Sequence, residues 1–148
     1  MKPQLLVSAM LLMAMLTGCA IIEEVNHSLQ YATKATEYLN EMNRFAQDLP
    51  SLAEQAMANP AALEDLQRAF QSAREAIAAF NAQQAPAIAE QLHNQLVTYN
   101  EQLSAQIDEY TRQIQDHVID LEALANAPML ETIRNMTELM SQIEQLGQ

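Results

Sequence analysis

The residue with the most recognisable chemistry is the single cysteine, Cys19. It closes the tetrapeptide Leu16-Thr17-Gly18-Cys19, which follows the basic residue Lys2 and an apolar run from Leu5 to Leu16. A basic start, a short apolar stretch and small residues before a cleavage point are typical of a secretory signal. The tetrapeptide resembles a lipobox, in which the cysteine receives diacylglycerol and the chain is cleaved before it. The sequence therefore predicts lipidation at Cys19.

This amino-terminal segment has two other interpretations. One is a retained membrane span, but the apolar run is about a dozen residues and a span needs roughly 20. The other is an ordinary signal peptide that leaves Cys19 as a free thiol, although a lone cysteine in a secreted chain needs an explanation that lipidation supplies. We therefore predict a cleaved signal peptide over residues 1–18. The mature domain over residues 19–148 is then held at the extracytoplasmic face of the membrane by two acyl chains.

Two Glu-x-x-His pairs, Glu24 with His27 and Glu90 with His93, are the best candidates for a metal site. Di-iron helical bundles use such a pair on each of two helices, with further glutamates from the other two. Here Glu90 and His93 fall off the apolar stripe of their helix, and the first pair lies close to the lipid. We therefore predict no bound metal, and expect the two histidines and His117 to be exposed.

Glycine is almost missing from the mature chain, where Gly147 is the only one. Phosphate-binding loops and nucleophile elbows both need glycines close to the reactive group. Ser28 and Ser104 have no basic residue at a useful spacing, so no catalytic triad is indicated. The sequence predicts neither a catalytic residue nor a cofactor.

The mature chain is strongly acidic, with six basic side chains against 19 acidic ones and a formal charge of −13. Such a surface repels nucleic acid, which is bound through cationic groups, and it also repels anionic lipid. We expect no nucleic acid partner and a body that stands away from the bilayer. High charge can serve solubility alone, and a basic protein partner is the functional alternative.

The composition favours helix throughout, since Ala, Gln, Glu, Leu and Met dominate. A first helix is predicted over 22–48, with its stripe reaching past Pro50 into a short helix that ends near Ala58. A second is predicted over 60–83, where Asn59 caps and Pro60 fits the first position. Their apolar stripes follow three-four spacing: Tyr31, Ala35, Tyr38, Met42, Phe45, Leu49 and Leu52, then Leu63, Leu66, Phe70, Ala73, Ile77 and Phe80.

A third helix is predicted over 88–125 with a weak point near 116–120, and a last helix over 128–146. Together they predict an all-α, up-and-down bundle of three to four long helices. A short echo, 50–55 against 86–91, is explained by convergence on a good helix start or by an old duplication. The inward residues of the last two helices are Ile88, Leu92, Leu96, Tyr99, Leu103, Ile107, Tyr110, Ile114, Val118 and Leu121, then Leu130, Ile133, Met136, Met140 and Ile143.

Four tyrosines fall on the inward stripes of the first and third helices: Tyr31, Tyr38, Tyr99 and Tyr110. The simplest interpretation places their rings in the core with the hydroxyls reaching the surface. The functional alternative is a groove between these two helices that accepts a small apolar ligand.

Several stretches resemble a known family: the lipobox, residues 31–38, residues 86–90 and residues 142–147. They are similar to a family of small lipoproteins of unknown activity from Bacillus-like Gram-positive bacteria, over essentially the whole chain. The resemblance implies location in the cell envelope and adds no catalytic residue. We therefore expect a non-enzymatic, membrane-anchored lipoprotein that contacts an envelope protein through its helices, with the ligand groove and the metal-binding bundle as alternatives.

Overall fold

The computed structural model describes the backbone of residues 18–146 and the side chains of residues 23–146. Nearly all of this part is α-helical and none of it is β-strand, which confirms the all-α prediction. The signal peptide predicted over 1–18 lies outside it apart from Gly18. The helices are α1 (Gly18–Ala58), α2 (Leu63–Asn81), α3 (Glu90–Gln115), α4 (Leu121–Leu124), α5 (Pro128–Thr137) and α6 (Met140–Leu146).

Helix α1 runs through Pro50 without interruption, whereas the sequence predicted a separate short helix after it. A proline inside a helix lacks the N–H that would bond to the carbonyl four residues earlier. Leu49 and Ala53, on either side of it, are both completely buried. Core packing therefore holds the turn despite the lost bond. The 41 residues of α1 span about 60 Å.

The long helices pack as an up-and-down bundle, as predicted. Helix α1 packs against α2 and against the carboxy-terminal helices α4, α5 and α6, while α3 packs against α2 and α5. Helices α1 and α3 therefore lie diagonally across the bundle. The short helices α5 and α6 together form its fourth side.

Helix α3 ends at Gln115, immediately before the weak point predicted near 116–120, so the predicted continuation of the third helix to 125 was wrong. His117 takes a left-handed backbone conformation with φ of 59°. The N–H of Val118 donates to the carbonyl of Gln113, and the N–H of His117 donates to that of Ile114. These bonds form a Schellman cap, which satisfies the last carbonyls of a helix.

The predicted inward stripes form one core, with errors at the ends of the third stripe. Ile88 is 69% exposed and Val118 is 66% exposed. Both predictions were wrong because α3 is shorter than its apolar pattern. Ile88 lies in the 3-10 turn Ala87–Ala89 before the helix, and Val118 is the last residue of its cap.

The carboxy-terminal helix, predicted as continuous over 128–146, is broken between α5 and α6. Met136 and Ile143 are nevertheless both fully buried on either side of the break, so the inward stripe is kept. The short sequence echo adopts two different structures, since Pro50 lies inside α1 and Pro86 precedes a 3-10 turn.

Candidate functional site

The predicted lipidation site lies in the first turn of α1. The backbone is helical from Gly18, so Cys19 is part of that helix, but its side chain lies outside the described residues and its modification stays a prediction. No helix within the described part of the chain is long and apolar enough to cross a bilayer.

The amino-terminal turns of α1 extend beyond the bundle. All side chains from Glu23 to His27 are exposed, and Ser28 is the first buried one. Contact with the core is established at Tyr31, which is 2% exposed. Tyr31 follows Cys19 by 12 residues, or about 18 Å of helix. The bundle is therefore separated from the predicted anchor by several turns of helix.

An aromatic cluster fills the end of the bundle nearest to this extension. It is built by the start of α1, the end of α2 and the start of α3. The Phe80 ring stacks on Tyr38, with centroids 4.4 Å apart and planes 17° apart. The His93 ring lies 5.2 Å from Phe80 and 5.8 Å from Tyr31. Offset and edge-to-face contacts of this kind add stability beyond the area buried.

A buried polar network lies beside the aromatic cluster. The Tyr38 hydroxyl donates to Asn100 Oδ1 over 2.5 Å, and Asn100 Nδ2 donates to Asn81 Oδ1 over 2.7 Å. Asn100 is completely buried. Sequence reasoning missed this residue, although its position between Leu96 and Leu103 places it on the inward stripe. An asparagine at such a position needs a partner on a facing helix.

The hydroxyls of Tyr31 and Tyr38 do not reach the surface as predicted, whereas Tyr99 and Tyr110 are only partly buried. The Tyr31 hydroxyl lies 3.2 Å from His93 Nδ1, and the Tyr38 hydroxyl ends on Asn100. Both tyrosines therefore close the space in which an apolar ligand would lie. A surface depression of about 380 Å³ nearby is lined mainly by polar side chains, including His27, Gln30 and Lys34.

Burial makes the two tyrosines poor acids. Desolvation raises the pKa of Tyr31 to about 12. The pKa of Tyr38 is raised further, chiefly by burial, with Glu41 adding to the shift and the bond to Asn100 opposing it. Both phenols stay neutral at physiological pH, so neither provides a phenolate base or nucleophile.

The Glu-x-x-His pairs are not assembled into a metal site. His27 and His117 are exposed, as predicted, but His93 is half-buried, so its predicted exposure was wrong. Its imidazole is turned toward Tyr31 and Phe80, while Glu90 stays in solvent. Among residues 23–146, no three histidine, aspartate or glutamate side chains are placed to share a metal ion.

His93 makes the fold sensitive to acid. Burial lowers the pKa of His93 below its usual 6.5, so the folded state favours the neutral imidazole. Its contribution to the free energy of unfolding is therefore fully present above pH 6.5 and declines as the pH falls below that value. We expect the melting temperature of His93→Gln to fall less between pH 7 and pH 5 than the melting temperature of the unsubstituted chain. His27→Gln is the matched control and should keep the original pH dependence.

The amino-acid sequence matches a known protein family. Residues 31–146 match a family model described as a family of unknown function, DUF6376. The chain is also similar to the uncharacterized lipoprotein YybP of Bacillus subtilis, with 30% identity over 131 residues that cover 88% of each chain. No solved structure matches it.

Proposed function

The chain belongs to the DUF6376 family, whose function is unknown, and we propose that it is a non-enzymatic, lipid-anchored module of the cell envelope. In this proposal Cys19 carries the lipid, and the bundle stands on the extracytoplasmic face of the membrane. It acts by binding another envelope protein through the outer faces of its helices.

One observation carries the non-enzymatic part of the proposal: the polar side chains of the core satisfy one another. In residues 23–146, every buried side-chain nitrogen or oxygen has a hydrogen-bond partner. An enzyme site usually has polar groups that converge on a space for substrate. Here Tyr38, Asn100 and Asn81 bond to one another, and His93 bonds to Tyr31. This arrangement stabilises the fold, and these side chains bond to one another instead of converging on a space for substrate.

Protein contact is supported by the charge of the outer surface. Within residues 23–146, five of the 19 carboxylates form ion pairs with arginine, and most of these pairs link residues three or four apart on one helix. The remaining acidic groups give the helices a negative outer surface. Such a surface favours a partner with a basic contact surface and speeds their encounter. The name of the relative YybP, a lipoprotein, supports the anchor.

Photo-crosslinking in intact cells tests the proposed contact. A photoreactive amino acid would replace an exposed residue on one outer face at a time, at Glu41 on α1, Gln71 on α2 or Gln102 on α3. We expect one face to yield a discrete adduct with another envelope protein, and charge reversal of acidic residues on that face to weaken it. The control is Leu103, which is completely buried and should give no adduct. Equal, diffuse labelling from all three faces would contradict the proposal.

A further inference from the structure

The extension of α1 carries an apolar strip that the bundle does not cover. We call residues 18–29 the stalk. Within it, Val25 is 60% exposed and Leu29 is 49% exposed, and they lie four residues apart on one helical face. Ile22 precedes Val25 by three residues in the sequence. This three-four spacing is that of a coiled-coil seam.

The charged residues of the stalk avoid this seam. In a heptad with Ile22 at position a, Val25 takes d and Leu29 takes the next a. Glu23 and Glu24 then occupy b and c, on the outer side of a paired helix. The flanking e and g positions hold Asn26 and Ser28, which carry no charge; Asn26 is exposed, and Ser28 is buried within its own chain. A second stalk in the same register would therefore meet no like charge along the seam.

The bilayer is a poor occupant for this strip. Leu29 follows Cys19 by ten residues, or about 15 Å of helix, so an upright stalk places Leu29 beyond the headgroup layer, which is about 5–8 Å thick. To reach the lipid, the stalk would have to lie flat. Because α1 is one continuous helix, the acidic bundle would then be pressed against the membrane surface, which repels it.

We propose that the stalk pairs with the stalk of a second copy of this chain, as a short parallel coiled coil. The inference rests on the proposed lipid anchor, which holds two copies in the same leaflet with their stalks pointing the same way. Two or three apolar positions bury far less surface than a stable dimer in solution requires. Confinement to the membrane raises the effective concentration of the second stalk and compensates for the small seam.

Disulfide crosslinking in membranes tests the pairing. Cys19 is the only cysteine and its sulfur would be in the lipid linkage, so a cysteine introduced in the full chain is its only free thiol. We expect Val25→Cys to give about tenfold more disulfide-linked dimer than the matched control Glu24→Cys, because a disulfide needs Cα atoms within about 7 Å. Both residues are exposed, so neither change disturbs the core.

The outcomes separate this inference from the proposed function. If the chain is found in the membrane and labelled with lipid, but Val25→Cys and Glu24→Cys give equal dimer or none, the pairing is wrong and the anchor stands. If the chain carries no lipid, the anchor is wrong and the pairing is lost with it. Adding Cys19→Ala to Val25→Cys should abolish the dimer in protein recovered outside the membrane fraction; undiminished dimer in that fraction would overturn the role given to the membrane.

Discussion

Replacing Cys19 by alanine is expected to abolish incorporation of a palmitate analogue into the protein. Alanine has no sulfur to carry diacylglycerol, so both acyl chains are lost together. Each buried methylene contributes about 0.8 kcal/mol to membrane attachment, and two chains are needed to hold a protein stably. Since no helix between residues 18 and 146 can span a bilayer, any Cys19→Ala chain that has lost its signal segment should leave the membrane fraction. Gel fluorescence of the labelled protein, with fractionation of the cells, measures both effects.

Ala20→Ser is the matched control for this experiment. It changes the residue after the cysteine and leaves the thiol in place, so labelling should persist. Labelling of the Cys19→Ala chain at the level of the unsubstituted protein would show that the lipid is attached elsewhere, and the proposed anchor would be wrong. Absence of labelling in the unsubstituted protein would also show that the proposed anchor is wrong.

Truncation of Phe80 to alanine is expected to destabilise the bundle by about 3–5 kcal/mol, the range for phenylalanine-to-alanine changes in cores. Phe80 is 1% exposed and contacts the rings of Tyr31, Tyr38 and His93. Its removal leaves a cavity between three helices and deprives Tyr38 of its stacking partner. Domains of this size are stable by only about 5–15 kcal/mol, so the loss is a large fraction of the total.

Urea unfolding followed by circular dichroism measures this loss. Phe80→Leu keeps part of the ring volume and should be less destabilising than Phe80→Ala. Ile88→Ala, at the same end of the bundle but exposed, should change the free energy of unfolding by about 0.5 kcal/mol or less. If Phe80→Ala were as mild as Ile88→Ala, the packing described for the aromatic cluster would be incorrect.

Most of the helices could be predicted from the sequence because their signals are local. The inward face of α2 follows from the spacing of residues such as Leu66, Phe70 and Ile77, all of which are buried. Asn59, whose side chain accepts the Ala61 N–H, caps the 3-10 turn Pro60–Ala62 that leads into α2, so the helix predicted from residue 60 begins as this turn. Pro50 is the exception. A proline in the sequence predicts the end of a helix, and only the packing of the residues around Pro50 keeps α1 continuous.

The contacts between helices in the aromatic cluster and the polar network beside it could not be predicted from local signals. The pairs Tyr31–His93 and Tyr38–Asn100 are each 62 residues apart in the chain. The equal separation reflects two helices that run parallel across the bundle, with residues seven apart on α1 facing residues seven apart on α3. Nothing in the spacing within one helix specifies which other helix it faces, so His93 was wrongly placed in solvent.

The sequence by itself determined the candidate lipid attachment at Cys19, the helical class and the inward face of each long helix. These follow from a short motif and from the 3.6-residue period, both of which are local properties of the chain. The tertiary structure alone decided that α1 and α3 are diagonal, that Tyr31 and Tyr38 close the space between them, and that Val25 and Leu29 are left exposed beyond the bundle. The physical reason is that burial depends on the neighbours supplied by distant segments, and within the described chain these leave Val25 and Leu29 largely exposed.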